Sequence, residues 1–121
     1  FSAVELYAVG FSAGELYDGG YGPKVLKTAG FTPTEMREGG LLAYQLQMIG
    51  FSAVELKHGG YTPDEVNAAA FTADELKAAD FTAIELKAIG LTAKELKKGG
   101  FSIAELRNAG FPDWQLKGPG F

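Results

Sequence analysis

The feature that most constrains this chain is a repeat of ten residues that runs through it without a gap. Its 121 residues divide into twelve rows of ten plus Phe121, and we number the positions of each row as slots one to ten. Slot one is Phe, Tyr or Leu in every row, slot six is Leu, Met or Val, and slot ten is Gly in ten rows. A fixed short period of this kind indicates small structural units that stack on their neighbours.

Each row carries the signals that begin and end a short α-helix. Ser or Thr in slot two, followed three residues later by Glu in slot five, predicts a capping box at the helix N-terminus. Gly in slot ten predicts the left-handed residue that ends a helix. The nine predicted capping pairs are Ser2 with Glu5, Ser12 with Glu15, Thr32 with Glu35, Ser52 with Glu55, Thr62 with Glu65, Thr72 with Glu75, Thr82 with Glu85, Thr92 with Glu95, and Ser102 with Glu105.

Such helices of about two turns need their neighbours, because isolated helices shorter than roughly 12–15 residues are marginal in water. The apolar side chains of slots one and six, and in part slot three, must therefore be buried between rows. We predict an all-α repeat solenoid of about twelve two-turn helices, with residues 1–121 forming a single array. Residues 111–121 are a candidate terminating repeat, because Pro112 alters the row and the run Gly118, Pro119, Gly120 cannot continue a helix.

A second period of 20 residues lies inside the first. Slot nine is always apolar in odd rows, as at Ile49 and Ile89, and is usually Gly in even rows, as at Gly59 and Gly99. This alternation predicts layers of two helices, with the odd helix more buried and the even helix ending earlier, at Gly-Gly. A spiral with one helix per turn and a closed ring both remain open, and the pattern does not encode handedness.

Charge and composition exclude several classes of protein. The formal net charge of −4 argues against a nucleic-acid binder, which usually presents a basic face to phosphates. Cysteine is absent, which excludes a disulfide framework. The longest apolar stretches, around 41–44, are far too short to enter a bilayer as a helix, so we expect a soluble protein without membrane insertion. Residue 1 is Phe and is in phase with the repeat, so we expect the true N-terminus, and any longer array, to lie outside this numbering.

Catalytic chemistry has few candidates in this sequence. His58 is the only histidine, so one chain cannot build a His-based metal cluster or a Ser-His-Asp group. The Ser and Thr hydroxyls and the slot-five Glu side chains are assigned to caps, and the glycines are spaced as helix stops rather than as a phosphate loop. The slot-five acids and slot-seven bases are interpreted as solvated charges that favour the helix dipole. We therefore expect no enzyme, no bound metal and no cofactor.

Departures from the repeat are the candidates for a binding site. Row five, 41–50, lacks every charge, and rows one and two carry Tyr where Lys or Arg is the rule. Tyr and Met are typical of protein interfaces, so these departures predict a partner-binding patch in the first half of the array. The alternative is that the same side chains fill local gaps or cover an end of the core. The candidate partner-binding residues are Val4, Tyr7, Tyr17, Leu42, Tyr44 and Met48.

The rows FTAIELKAIG, FTADELKAAD and FSIAELRNAG resemble the short helical decapeptide repeats of the F-[ST]-A-x-E-L-K-x-A-G type. The likeness covers nearly the whole chain and is weakest in rows three, five and twelve. The resemblance implies an α-helical solenoid and brings no catalytic residue. It leaves the biochemical role open.

Three functions are compatible with this repeat and its departures. The first is a non-enzymatic scaffold or linker that binds a protein partner within a larger assembly. The second is a structural spacer or self-associating subunit, in which repeats of different chains contact one another. A nucleic-acid-binding solenoid is the third, and the acidic balance disfavours it.

Overall fold

The computed structural model describes residues 1–118 and residue 121; Pro119 and Gly120, from the run expected to end the last row, lie outside the described residues. Eleven α-helices and one 3-10 helix follow one another at ten-residue intervals, and the described part of the chain contains no strand. The α-helices are α1 (Ala3–Ala8), α2 (Ala13–Asp18), α3 (Pro23–Ala29), α4 (Pro33–Glu38), α5 (Ala43–Met48), α6 (Ala53–His58), α7 (Pro63–Ala68), α8 (Ala73–Ala78), α9 (Ala83–Ala88), α10 (Ala93–Lys98) and α11 (Ile103–Asn108). The 3-10 helix spans Asp113–Leu116.

Nine of the eleven α-helices begin at capping boxes. In α6 the Glu55 backbone N–H donates to Ser52 Oγ at 3.2 Å, and the Ser52 N–H donates to Glu55 Oε1 at 3.0 Å. The same two hydrogen bonds are present in each of the nine rows with Ser or Thr in slot two and Glu in slot five. Row five keeps half of the box, because Gln45 Oε1 accepts from the Leu42 N–H at 2.7 Å while leucine has no acceptor.

The helices end at a left-handed residue in slot ten. Gly50 has φ +98°, its N–H donates to the Gln47 carbonyl, and the Phe51 N–H donates to the Leu46 carbonyl. This pair of hydrogen bonds is the Schellman arrangement, which satisfies carbonyls that have no partner inside the helix. Ala70 and Asp80, which replace Gly in this slot, adopt the same region with φ +67°.

Stacking occurs at a spacing of two helices, as the 20-residue period predicts. The even helices form a continuous column, α2 on α4, α6, α8 and α10 in order. The odd helices stack as α1 on α3, α5 on α7, and α9 on α11, and neighbours such as α2 and α3 also touch. The expected helical repeat solenoid is thus confirmed.

A single line of apolar side chains runs through the stack. Slot-six residues from Leu26 to Leu106 are fully buried, and slot-one residues are buried from Phe31 to Phe111. Phe121, which restores the phase of the repeat, is also packed against this core. Among the described residues no charged side chain is buried, and the one buried side-chain hydroxyl is that of Tyr61, so the core depends mainly on the hydrophobic effect.

Two expectations about odd and even rows are wrong. The even helices do not end earlier, because α2 and α4 stop at slot eight as α1 and α5 do. The odd rows are not the more buried ones at slot nine either, because Gly59 and Gly99 are buried while Ile49 and Ile89 are half-buried.

Close approach of the even helices explains this reversal. A Cβ built on Gly59 would lie 2.7 Å from the Cβ of Pro33, and one on Gly99 would lie 2.5 Å from the Cβ of Ala73. The helices α6 and α10 therefore end against the first turn of the even helix two rows before them. Gly marks a tight contact between layers rather than an early helix end.

Candidate functional site

The outer surface of each helix is formed by slots four and eight, which lie one turn apart on the same side of a helix. All of these residues are exposed in the odd helices. We call them the odd face, and the corresponding surface of the even helices α2 to α10 the even face. The odd face consists of Val4, Ala8, Lys24, Thr28, Tyr44, Met48, Asp64, Ala68, Ile84, Ala88, Ala104 and Asn108.

The two faces differ in charge. The odd face has only two charged residues, Lys24 and Asp64, on α3 and α7. The even face carries acids on α2, α4 and α8 and bases on α10, and it includes the only histidine of the sequence. Its charged residues are Asp18, Glu38, Asp74, Lys94 and Lys98.

The odd face carries four exposed large apolar side chains, whereas the even face carries Val54 alone. Met48 is 74% exposed and Tyr44 is 50% exposed on α5, and Val4 and Ile84 are exposed to a similar degree on α1 and α9. Leu42 adds to the same region, because it stands exposed at the N-terminus of α5. Val4, Leu42, Tyr44 and Met48 from the sequence-predicted patch are therefore accessible to a partner.

Neighbouring odd helices bring their outer side chains together. An open groove between α1 and α3 is lined by Val4, Lys24, Val25 and Thr28. Val25, which is exposed, extends the apolar surface from slot five, where Glu is the rule. Lys24, Val25 and Asp64 were not among the site residues predicted from the sequence, although a comparison of slots four and five down the odd rows reveals them.

Tyr7 and Tyr17 occupy a different environment from the rest of the predicted patch. The Tyr7 ring lies 4.2 Å from the Phe31 ring, and its hydroxyl donates to Glu35 Oε1 at 3.3 Å. The negative charge of Glu35 raises the pKa of Tyr7. The Tyr17 hydroxyl accepts from Gln45 Nε2 at 2.8 Å. Both tyrosines are half-buried against the core and connect one layer to the next.

Slot-seven bases make the same kind of connection. Lys57 Nζ donates to the Asp80 carbonyl at 2.7 Å and lies 5.0 Å from the centre of the Phe81 ring. A cation–π contact with an aromatic ring 24 residues further on recurs for five bases: Lys27, Arg37, Lys57, Lys77 and Lys87. These bases are thus not simply solvated charges, because they cover the next layer's aromatic residues.

Shifted pKa values occur at structural positions. Hydrogen bonds from the Ser2 backbone and side chain lower the pKa of Glu5. The same kind of cap lowers the pKa values of Glu15, Glu65 and Glu105. Burial raises the pKa of Tyr61 to about 12. The Tyr61 hydroxyl donates to the Leu41 carbonyl at 2.7 Å, between two layers.

Across residues 1–118 and 121, no group of three His, Asp or Glu side chains has the arrangement needed to hold a metal ion. His58 is exposed at the end of α6, in the even face. None of the helices in the described ranges has the length and apolar character needed to cross a bilayer.

Comparison with known proteins agrees with the repeat. The family model of the decapeptide repeat region matches residues 1–63 and 50–121, two overlapping segments that together span the chain. No curated protein and no solved structure matches the sequence. The ten-residue period, the capping boxes and the stacked two-turn helices are the features these rows share, and the chain belongs to the decapeptide repeat family.

Proposed function

We propose that the chain is a non-enzymatic scaffold that binds a protein partner through the odd face, within a larger protein assembly. The observation that carries this proposal is the exposure of Tyr44 and Met48 on α5, a helix without any charge. Tyr and Met side chains are enriched in protein interfaces, where charged residues are depleted from the core of the contact.

The distribution of charge supports a protein partner over a nucleic acid. Lys24 is the single base of the odd face, so this face offers almost nothing to neutralise phosphates. The even face carries acids on three of its helices and two bases on α10, a charged surface that suits solvent. A partner that buries apolar area is therefore favoured, with the odd face as its contact.

The variant Tyr44→Lys/Met48→Lys tests this function. Two lysines would place charge at the middle of the uncharged surface, so we expect the complexes that a tagged chain forms in its native cell to be lost. The matched control is Val54→Lys/His58→Lys, which makes the same change in slots four and eight of the neighbouring even helix α6. The measurement is quantitative mass spectrometry of the purified complexes, with circular dichroism to verify helicity.

Two results would count against the scaffold. Equal recovery of every complex with the α5 and α6 variants would show that the odd face does not bind a partner. A wild-type chain that purifies as a monomer, without any other protein, would favour a spacer that holds its neighbours apart without a discrete ligand. Tyr7 and Tyr17 are left unchanged in this test because their substitution would disturb contacts between layers.

A further inference from the structure

The order of side chains on the odd face is self-complementary about α5. Its slot-four residues, in the order of the stack, are Val4, Lys24, Tyr44, Asp64 and Ile84. Lys24 and Asp64 stand one helix to either side of Tyr44 in the odd series, with opposite charges. Val4 and Ile84 stand two helices to either side, and both are exposed apolar side chains.

This order suits a dimer in which the two-fold axis runs parallel to α5, between the facing odd faces of the two copies. A second copy, antiparallel to the first, places Tyr44 and Met48 of each chain at the axis. Lys24 of each copy then lies opposite Asp64 of the other, and Val4 lies opposite Ile84. Such an interface is isologous, because the same surface serves both subunits and each contact occurs twice.

We propose that the partner of the odd face is a second copy of this chain, packed antiparallel about α5 with Lys24 opposite Asp64. This inference rests on the proposed function, since it names the partner of the same surface. The slot-eight residues are compatible with the arrangement, because Ala8 then lies opposite Ala88 and Thr28 opposite Ala68. Both charges of the odd face gain a partner of opposite sign, so neither is buried alone.

Alternative pairings leave charges unmatched. A copy with its stack parallel and in the same register would set α3 opposite α3 and α7 opposite α7. Lys24 would then face Thr28 and Asp64 would face Ala68, so each charge would lack an opposite partner and would lie near its own like-charged copy. An antiparallel pair of even faces about α6 would match Asp18 with Lys98. It would also set Glu38 opposite Ala78, an unpaired charge in the contact. The odd face is therefore the better surface for a copy of the chain.

Sedimentation of the full chain across a dilution series tests the proposal. We expect the wild type to form a dimer that dissociates on dilution. Lys24→Asp or Asp64→Lys turns both symmetry-related pairs into like charges, so each single variant should raise the dissociation constant about tenfold. The exchange Lys24→Asp/Asp64→Lys restores opposite charges and should return the dissociation constant to near the wild-type value.

The matched control is Lys98→Asp, which makes the same change in net charge on the even face and should leave the dimer unchanged. Thermal melting checks that every variant is folded, because Asp64 also lies in the first turn of α7. A wild type that stays monomeric throughout the series overturns the proposal. Single variants without effect, or an exchange variant that stays weakened, would also overturn it.

The outcome also separates this inference from the proposed function. If the chain is monomeric while Tyr44→Lys/Met48→Lys still loses its complexes, the odd face binds a different protein and only the second-copy inference fails. If the dimer and all complexes survive that variant, both fail. If the dimer is lost and charge exchange restores it, both are supported.

Discussion

Slot seven shows how one side chain serves two layers. Lys57 belongs to α6 by sequence, yet its ammonium group donates to a carbonyl after α8 and covers Phe81. The lysine stem packs along the stack while the charged end satisfies a backbone oxygen at a helix end. Tyr7 replaces the base in row one and contacts Phe31 in the same relative position. The role of slot seven is therefore to join layers, and either a cation or an aromatic ring can fill it.

Lys57→Met is expected to lower the free energy of unfolding by about 1 kcal/mol, because it keeps the apolar stem and loses the cation–π contact and the hydrogen bond. Urea denaturation followed by circular dichroism measures the change. The control is Lys98→Met, since Lys98 is exposed and makes no hydrogen bond or ion pair to any other described residue. Equal stability of the two variants would show that the contact between layers contributes nothing.

At the scale of the helix, slot nine decides how closely two even helices approach. A Cβ on Gly39 would lie 2.6 Å from the Gly14 nitrogen, which is closer than real Cβ contacts allow. Ala79 occupies the same slot in row eight and is buried, so the clearance differs from pair to pair. The glycines are thus required by their particular neighbours rather than by the helix end alone.

Gly99→Ala is expected to destabilise the array by about 1–3 kcal/mol, because the new methyl group would overlap Ala73 and force α8 and α10 apart. Gly19→Ala is the control: its φ of −80° suits alanine, and the nearest atoms belong to its own helix. Differential scanning calorimetry of the two variants compares the same substitution with and without a neighbouring layer. A Gly99 variant as stable as the Gly19 variant would mean that the stack relaxes without cost.

At the scale of the whole molecule, the capping glutamates of four rows act in the same direction. The caps lower the pKa of Glu5, Glu15, Glu65 and Glu105 in the folded chain. A carboxyl group with a lowered pKa contributes stability that is complete above its unfolded-state pKa, about 4.3 for Glu. That contribution is lost as the pH falls through the lower folded-state pKa. Because rows depend on their neighbours, loss of several caps should weaken the array as one unit.

The melting temperature should therefore be constant near neutral pH and fall as the pH drops below about 5. Thermal melts followed by circular dichroism between about pH 7 and 3 measure this dependence. Glu5→Gln/Glu105→Gln is a control, since glutamine can still accept from the cap but does not titrate. Its melting temperature should fall less steeply with acid than that of the wild type. Parallel curves for the two proteins would assign the acid sensitivity to other carboxyl groups.

The sequence by itself determined the features that act within one row. A capping box joins residues three apart, and a left-handed stop acts on the last turn, so both follow from local spacing. The Ser52–Glu55 hydrogen bonds and the positive φ of Gly50 follow that spacing. The two-helix stacking was also readable, because the alternation in slot nine repeats every 20 residues.

Only the tertiary structure decided which residues of different rows meet. It showed that Gly59 and Gly99 lie at close contacts between even helices, and that Tyr7 and Tyr17 join layers while Tyr44 and Met48 stay exposed. These outcomes depend on the distance and rotation between stacked helices, which packing of the whole array sets. Local hydrogen bonds need only the neighbouring residues of the chain, whereas a contact 24 residues away needs two layers already in place.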